Sequence, residues 1–360
     1  MRQDGRWLGT LNQAVKRHKH LWNQVASLNN LVAAAQAAMS GKRTGASGAA
    51  FSNVWETEVV KLERELRTGE YRPGEYHYFE ILEPKRRMIA AAPFRDRVVH
   101  HALVRVLEPL FDPRFIEDSY ACRTGKGTHA GMRRALFFSK RYAWVLKCDI
   151  RKYFPSIRHD LLLSKLERVV GDKQVLNLIA LIVGSHSETV TQEWRKNGNL
   201  FDVKAVRWGL PIGNLTSQFF ANIYMDAFDH YVKQGIRVKG YVRYVDDFLL
   251  FGEDRAELRR IGERCHKYLE GEGLVIHPDK YRMCRTADGV DFCGFVLRAD
   301  GRVKVRSAGV RRFQRRLKQT RYEVSHGDLG WKEVGVSVRS WIAHAEHAQS
   351  WRLRSRILGG

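Results

Sequence analysis

The sequence has few of the features that mark secreted or membrane proteins. Its five cysteines are scattered and none forms a C-x-x-C pair, so neither a disulfide framework nor a zinc site is indicated. Residues 1–20 are basic and interrupted by polar residues, unlike a signal peptide, and no apolar run is long enough to span a bilayer. We therefore expect a cytoplasmic protein without a membrane partner.

Acidic residues are scarce relative to basic ones. The chain has 39 Asp and Glu against 62 Lys and Arg, which gives a net charge of +23 and a pI near 10.0. A polyanion such as nucleic acid is the natural partner of such a chain. Its 44% hydrophobic and 11% aromatic residues exclude a disordered basic tail. Composition does not distinguish an enzyme from a passive nucleic-acid binder.

Hydrophobic periodicity predicts a mixture of helices and short strands. We expect one large mixed domain and a smaller one in 360 residues. Helices are predicted over 7–40, 51–67, 98–110, 160–183, 215–231 and 257–270, and extended segments over 76–88, 143–150, 240–251 and 289–305. Residues 301–360 carry fourteen Lys and Arg against four Asp and Glu and keep helical spacing. They predict a folded, basic helical region, with Trp331, Trp341 and Trp351 in its core.

Three aspartates stand in or beside apolar, strand-like segments. Asp149 ends the segment 143–150, and Asp246 and Asp247 lie between two apolar stretches of the segment 240–251. A carboxylate in such surroundings costs several kcal/mol unless a partner or a metal compensates its charge. Two divalent cations roughly 3.5–4 Å apart would do so and would form a phosphoryl-transfer centre. The alternative for Asp246 and Asp247 is an ordinary hairpin turn, where Asp is common.

The order of these motifs resembles that of the reverse transcriptases. The resemblance runs from about residue 80 to residue 300 and rests on the segments Ser119–His129, Lys147–Ile157, Gly209–Gln218, Tyr244–Asp247 and Phe292–Phe295. It implies an α+β, right-hand polymerase fold and an RNA-directed DNA polymerase. The parts expected are an N-terminal helical extension (1–75), fingers and palm (76–300) and a basic helical thumb (301–360). Such a thumb would hold a template–primer duplex by its phosphates.

The resemblance assigns the metal site and its neighbours. Asp149, Ile150, Asp246 and Asp247 fall on the metal site, which would take two Mg²⁺ ions, with Mn²⁺ as a substitute. Lys280 resembles a lysine that could protonate the leaving pyrophosphate; its alternative is a solvated lysine.

The resemblance also assigns the substrate contacts, each beside a simpler alternative. Phe154 matches the aromatic residue that excludes a ribose 2′-hydroxyl, and its alternative is a core aromatic. Arg123 matches the arginine that clamps the incoming triphosphate. Lys85 and Arg87 are candidates for contact with the template or the triphosphate, and their alternative is a solvated basic turn. Ile212, Gly213 and Gln218 complete the residues expected to contact the nucleotide. Cys293, Gly294 and Phe295 match the primer grip, and for Gly294 the alternative is a structural strand glycine. Asp96 and Arg97 are expected to form a structural ion pair.

One departure points to a particular branch of the family. Retroviral enzymes have Gln where this chain has Ile212, and together with Gly125–His129 and Ser340–His344 this resembles the reverse transcriptases of diversity-generating retroelements, prokaryotic or phage-encoded. Those enzymes copy a template RNA into cDNA with errors opposite adenine. The resemblance implies dNTP substrates and a small basic accessory protein of the retroelement variability determinant type, which can be oligomeric. For Ile212 the alternative is a residue that merely packs.

Three other functions stay open. Related enzymes serve in anti-phage defence, in retrons or in group II introns. RNA-templated RNA synthesis would use the same carboxylates, although a bulky Phe154 at the sugar argues against it. A non-enzymatic RNA-binding scaffold would have no use for the three carboxylates, because an uncompensated charge cluster destabilises a fold.

Overall fold

The computed structural model describes residues 16–40, 46–82, 86–186, 206–327 and 330–359. The helices, in chain order, are α1 (Trp22–Val25), α2 (Leu28–Met39), α3 (Ala46–Ser52), α4 (Trp55–Thr68), α5 (Phe94–Phe111), α6 (Thr128–Ser139), α7 (Tyr153–Ser156), α8 (His159–Glu167), α9 (Lys173–Gly184), α10 (Leu215–His230), α11 (Arg255–Gly271), α12 (Ser307–Ser325), α13 (Trp331–Ala345) and α14 (Trp351–Leu358). The strands are β1 (His77–Ile81), β2 (Arg87–Ala91), β3 (Trp144–Asp149), β4 (Gly240–Tyr244), β5 (Asp247–Gly252), β6 (Arg282–Arg285), β7 (Val290–Phe292), β8 (Phe295–Leu297) and β9 (Val303–Val305).

The chain divides into two compact units, each built from separated segments. The first comprises Met1–Ile116, Ile150–Tyr231 and Tyr268–Val275, and the second Glu117–Asp149, Val232–Lys267 and Ile276–Gly360. The division by role into 1–75, 76–300 and 301–360 follows function rather than contacts and stays a prediction. No helix of the described segments is long and apolar enough to cross a bilayer.

The first unit is organised around α5, which packs against α2 and α10. Val98, Val99 and Leu103 of α5 are buried, and small residues of α2, among them Ala34 and Ala35, let the two helices approach closely. The α2 helix begins after Ser27, whose side-chain oxygen accepts a hydrogen bond from the Asn30 backbone N–H.

The β1–β2 pair is an antiparallel hairpin of the first unit, as the interrupted extended segment predicted. His77 is opposite Ala91 and Ile81 is opposite Arg87. All five residues of β1 are exposed. Pro84 and Lys85 of the predicted turn lie outside the described residues.

The second unit contains a four-stranded antiparallel sheet in the order β4-β5-β3-β6. Side chains alternate between the faces of a strand, so Val145, Lys147 and Asp149 of β3 share one face. In the β3–β5 register these three residues are opposite Phe251, Leu249 and Asp247. A shift of one residue would move this whole set to the other face, so burial of the apolar members fixes the register that also aligns the two aspartates.

A second, three-stranded sheet, β7-β8-β9, shares a hydrophobic core with α6 and with this face of the larger sheet. Phe292 and Phe295 of the small sheet, Phe138 of α6 and Val145 of β3 are buried members of that core. The short strands predicted over 289–305 are therefore confirmed.

The expectation for the three tryptophans was wrong at two positions. Trp331 and Trp351 are 73% and 71% exposed. Only Trp341 packs inside the second unit, stacked on Phe313 with ring centroids 4.1 Å apart. Each exposed tryptophan is the first residue of its helix, where helical spacing alone does not decide whether a side chain meets a partner.

Candidate active site

The structure brings Asp149 and Asp247 together at one end of the larger sheet. They are directly opposite each other in the β3–β5 register. Val245 and Asp246 form the turn between β4 and β5, because Tyr244 pairs with Asp247. Val245 has φ +58°, a conformation unfavourable for a β-branched residue, which is the kind of backbone strain that collects at functional sites. The turn therefore holds Asp246 and Asp247 beside the end of the central strand β3, where Asp149 lies.

The Asp247 carboxylate lies among charged neighbours at this end of the strands. Burial, reinforced by Asp149 and Asp246 and opposed by Lys147, raises the pKa of Asp247 to about 6. Its Oδ2 atom lies 3.2 Å from Lys147 Nζ. Its Oδ1 atom is buried and has no hydrogen-bond partner among the described residues. A buried carboxylate oxygen without a partner is costly, and a cation would remove that cost.

Lys280 contacts the other aspartate directly. Its Nζ atom is 2.5 Å from Asp149 Oδ1. The lysine ends a single 3-10 turn, Pro278–Lys280, and the preceding His277 donates its backbone N–H to the Asp149 carbonyl at 2.8 Å. Lys280 is thus ion-paired and about a third exposed, which differs from the freely solvated lysine of the simpler alternative.

These oxygens fit a hard divalent cation such as Mg²⁺ or Mn²⁺ better than a softer metal that prefers nitrogen or sulfur ligands. Carboxylates are the ligands that Mg²⁺ prefers, and Mg²⁺ usually keeps waters and substrate phosphates in addition to one or two carboxylates. Among the described residues no group of three or more His, Cys, Asp and Glu forms a complete metal site. Asp149 and Asp247 would supply two carboxylate ligands, with waters and substrate oxygens as the others. Ile150, assigned to the same site, has a buried side chain without a ligand atom, so only its backbone carbonyl could contribute.

Arg123 lies in the second unit, in the turn that precedes α6. Its Nη1 atom donates to the Ser119 carbonyl at 3.0 Å, and the side chain is half-buried. The turn is anchored to β4 by the backbone hydrogen bond from Tyr120 to Arg243 at 3.0 Å. The sheet that carries Asp247 therefore also fixes the position of this guanidinium.

The predicted primer-grip residues form the β7–β8 turn. Cys293 and Gly294 both have positive φ, +51° and +88°, as a two-residue hairpin turn requires, and Phe295 begins β8 inside the core. A side chain at Gly294 would contact the His344 ring at 3.2 Å. The Gly294 carbonyl accepts the Arg306 backbone N–H at 3.0 Å.

The nucleotide-side residues Phe154, Ile212 and Gly213 belong to the first unit, where they are held near one another. The Phe154 carbonyl accepts the Leu210 backbone N–H at 2.9 Å, and the Ile212 carbonyl accepts the Ala90 N–H of β2 at 3.1 Å. Phe154 is half-buried, so it is neither a core aromatic nor a fully exposed one.

Gly213 is required by both its backbone and its surroundings. Its φ is +112°, and a Cβ atom there would lie 2.8 Å from Ile89 Cγ2. The adjacent Asn214 side chain donates to the Ala90 carbonyl at 2.8 Å and accepts from the Ala92 N–H at 3.3 Å. A cavity of about 220 Å³ opens beside Gly213 and is lined by β2, α5 and the start of α10.

The remaining predicted residues lie at the periphery of the first unit. Arg87 begins β2 and is exposed, and Gln218 is an exposed residue in the first turns of α10. The expected ion pair between Asp96 and Arg97 was wrong. Asp96 accepts hydrogen bonds from the Tyr71 hydroxyl and the Gly74 N–H, whereas Arg97 donates to the Ala92 carbonyl, because residues three or four apart, not adjacent ones, face each other on a helix.

Lys147, which lies 3.2 Å from Asp247, was not among the predicted site residues. The signal was its position two residues before Asp149, because residues two apart share a strand face. In an otherwise apolar strand, a lysine on the same face as a carboxylate indicates a paired charge rather than a solvated one.

Comparison with known proteins identifies one family. Residues 82–297 match the family described as reverse transcriptase (RNA-dependent DNA polymerase). Protein YkfC of Escherichia coli is 26% identical over 281 residues, which cover 67% of this chain and 71% of YkfC. Group II intron-encoded protein LtrA of Lactococcus lactis is 24% identical over 222 residues, 60% of this chain and 35% of LtrA.

Two further similarities are more limited. Nuclear intron maturase 1, mitochondrial, of Arabidopsis thaliana is 33% identical over 107 residues, 29% of this chain and 15% of the maturase. Telomerase from Candida albicans, solved with a TWJ fragment of telomeric RNA, has a TM-score of 0.45 and 15% identity over 69% of this chain and 49% of its own.

The chain spans only a minor part of the intron-encoded relatives, so what those longer proteins do as a whole is not carried over to it. The match to the family itself extends over most of this chain, including both aspartate-bearing strands. The chain therefore belongs to the reverse transcriptases, RNA-directed DNA polymerases with a right-hand fold built from helices and antiparallel sheets.

Proposed function

We propose that this chain makes cDNA from an RNA template with frequent errors at template adenines, for mutagenic retrohoming in a diversity-generating retroelement. The observation that carries the catalytic part is the alignment of Asp149 opposite Asp247 at the ends of the two central strands. The observation that carries the error-prone part is Ile212. Its backbone is fixed to β2, while its aliphatic side chain can neither donate nor accept a hydrogen bond to a nucleotide.

In this proposal Asp149, Asp246 and Asp247, with the Ile150 carbonyl, hold two Mg²⁺ ions, for which Mn²⁺ can substitute. Divalent cations at such carboxylates activate a primer 3′-hydroxyl and stabilise a leaving pyrophosphate. In the same proposal Lys280, whose Nζ contacts Asp149, gives a proton to the leaving group.

Other side chains position the substrates. Arg123 offers a planar guanidinium to the triphosphate, and Lys85 and Arg87 add positive charge near template or triphosphate. Phe154 excludes the 2′-hydroxyl of a ribonucleotide, and Gly213 lets the backbone approach the new base pair, with Gln218 in the helix that follows. The turn of Cys293, Gly294 and Phe295 supports the primer end.

The partners follow from charge and family. Template RNA, nascent cDNA and dNTPs are the substrates, and the basic helix α12 offers arginines to duplex phosphates. A small basic accessory protein, which can be oligomeric, would join the RNA complex. A cytoplasmic location fits these partners.

A second candidate is a group II intron, retron or anti-phage defence enzyme. Similarity to the group II intron-encoded protein LtrA and to an intron maturase favours the intron branch. In this case the chemistry is the same, but synthesis would be accurate.

Primer extension on a defined RNA template, with Mg²⁺ and all four dNTPs, tests the proposal. The products are sequenced beside those of an Asp246→Ala/Asp247→Ala variant. DNA synthesis that disappears in the variant, with errors concentrated at template adenines, would support the retroelement function. Accurate synthesis would favour the second candidate, and extension with rNTPs instead of dNTPs would indicate an RNA polymerase.

Synthesis by neither protein would not by itself reject the proposal, because an accessory partner could be required. The same reaction would then be repeated with the native template RNA and the neighbouring gene product. Continued inactivity under those conditions would contradict polymerase function.

A further inference from the structure

Lys147 makes two contacts that reach beyond its own strand. Its Nζ atom lies 3.2 Å from Asp247 Oδ2 and donates a hydrogen bond to the Asp291 carbonyl at 2.6 Å. Its side chain is only 19% exposed. An ammonium group has three donors on a flexible stem, so one lysine can satisfy two acceptors in different directions.

The first contact orients the Asp247 carboxylate. Lys147 is diagonal to Asp247 across the β3–β5 pair, because it is directly opposite Leu249 on the same face. The contact engages Oδ2, whereas Oδ1 is buried without a hydrogen-bond partner in the described segments. A carboxylate held by one oxygen presents the other in a fixed direction, which is how neighbouring groups orient metal ligands.

The second contact connects this carboxylate to the β7–β8 turn. Asp291 is the middle residue of β7, and its carboxylate pairs with Arg306. Arg306 in turn donates its backbone N–H to the Gly294 carbonyl at 3.0 Å. A continuous series of polar contacts therefore runs from Asp247 through Lys147, Asp291 and Arg306 to Gly294.

We propose that Lys147 is a positioning residue that ties Asp247 to the β7–β8 turn, so that the metal-binding carboxylate and the primer end are held in one fixed relation. The inference rests on the proposed roles of Asp247 and of the turn. In this role the lysine acts through its contacts with Asp247 and Asp291. It acts by preventing the two-residue Val245–Asp246 turn and the β7–β8 turn from moving independently.

A simpler account is that Lys147 only neutralises a buried carboxylate. Neutralisation requires the contact with Asp247 but not the one with Asp291, since a backbone carbonyl carries no net charge. The shorter of the two distances is to that carbonyl. The two accounts therefore differ in whether loss of the lysine loosens the β7–β8 hairpin.

The test compares the full-length wild type with Lys147→Met, which keeps the length and apolar stem but removes the donors, and with Lys147→Arg. Lys239→Met is the matched control, because Lys239 is an exposed lysine of the same unit outside the site. Hydrogen–deuterium exchange of residues 290–297 is measured without nucleic acid or metal. Single-nucleotide incorporation and the Kd for primer–template are measured separately.

Lys147→Met is expected to exchange faster than the wild type over 290–297. Its incorporation rate should fall at least about tenfold with the duplex Kd within about twofold, because small misplacements of reacting groups affect rate more than binding. Lys147→Arg should recover part of both effects, and Lys239→Met should behave like the wild type.

If hydrogen–deuterium exchange over 290–297 is unchanged in Lys147→Met, the proposal is wrong, even if nucleotide incorporation is slower. A wild-type rate of nucleotide incorporation in Lys147→Met would also contradict the proposal. Should Lys147→Met not fold, Lys147→Gln gives the same comparison, because Gln is too short to reach both acceptors. If the wild type makes no DNA under any condition, the proposed function fails. The hydrogen–deuterium exchange result would still decide whether Lys147 connects Asp247 to the β7–β8 turn.

Discussion

At single positions of this chain, the proposed function depends both on a fixed backbone and on the chemistry of the side chain. Ile212 is the clearest case. Its carbonyl is bound to the Ala90 N–H of β2, so a substitution changes the side chain at an anchored position. The side chain is half-buried, which leaves room for a polar replacement of similar length to reach outward. Fidelity can therefore be tested here without rebuilding the loop.

We predict that Ile212→Gln lowers misincorporation at template adenines severalfold. A glutamine amide can donate to and accept from a nucleotide, and a site that hydrogen-bonds its substrate rejects mispaired geometry by about 1–3 kcal/mol. Sequencing of extension products from an adenine-rich RNA template measures the change. Ile212→Leu, which stays apolar, is the control and should keep the wild-type error spectrum. Equal error rates in all three proteins would show that fidelity is set elsewhere.

At the scale of elements, the loop before α10 depends on a glycine. Gly213→Ala introduces a side chain at φ +112° and 2.8 Å from Ile89 Cγ2. We predict a loss of about 1–3 kcal/mol in the free energy of unfolding, since both strain and overpacking are destabilising. Denaturant unfolding measures it. Gly271→Ala is the matched control, because an added Cβ there meets no atom within 4 Å. An equal effect of the two substitutions would contradict the requirement for glycine at 213.

The end of α10 carries a histidine whose charge should stabilise the first unit. His230 Nε2 lies 3.4 Å from Asp226 Oδ1 and 2.9 Å from the Arg114 carbonyl. The pairing with Asp226 raises the pKa of His230 to about 9, and a cation near a helix C-terminus is also favoured by the helix dipole. Because the folded-state pKa is above the unfolded value, the stabilisation is fully present below about pH 6.5. It is lost as the pH rises through about 9.

Accordingly, His230→Gln should destabilise the protein by about 1–2 kcal/mol at pH 6 and by much less at pH 10, after allowance for solvent screening. Denaturant unfolding at both pH values gives the difference from the wild type, which removes the contribution of other titrating groups. Asp226→Asn should reduce the same pH dependence. The exposed His77→Gln serves as control. A pH-independent effect of His230→Gln would rule out the charged pair.

At the scale of the whole molecule, hydrophobic periodicity predicted most helices and strands, including β3, the β4–β5 hairpin and the basic helices α12 to α14. Such patterns report local preference and burial of one face. They do not report which distant segments pair, so the contacts of Lys147, and the assembly of each unit from separated segments, could not be predicted. The same limit explains Trp331 and Trp351, since spacing shows which side of a helix a residue faces but not whether that side is covered.

The net charge of +23 should make duplex binding strongly dependent on salt, because binding of cationic side chains to phosphates releases condensed counterions. In α12, Arg312 lines a cavity of about 600 Å³ with residues of α13 and the β7–β8 turn. Lys318 is exposed and lies about one and two-thirds turns further along the helix. If both contact phosphates, Arg312→Ala/Lys318→Ala should weaken binding equally on all sequences. The log–log slope of affinity against salt concentration should fall in magnitude by about 1–2.

Fluorescence anisotropy with a labelled RNA–DNA duplex across a salt series measures the slope. Gln314→Ala, an exposed uncharged position of the same helix, controls for the substitution itself. An unchanged slope in the charge variant would mean that α12 does not contact the duplex through these two residues.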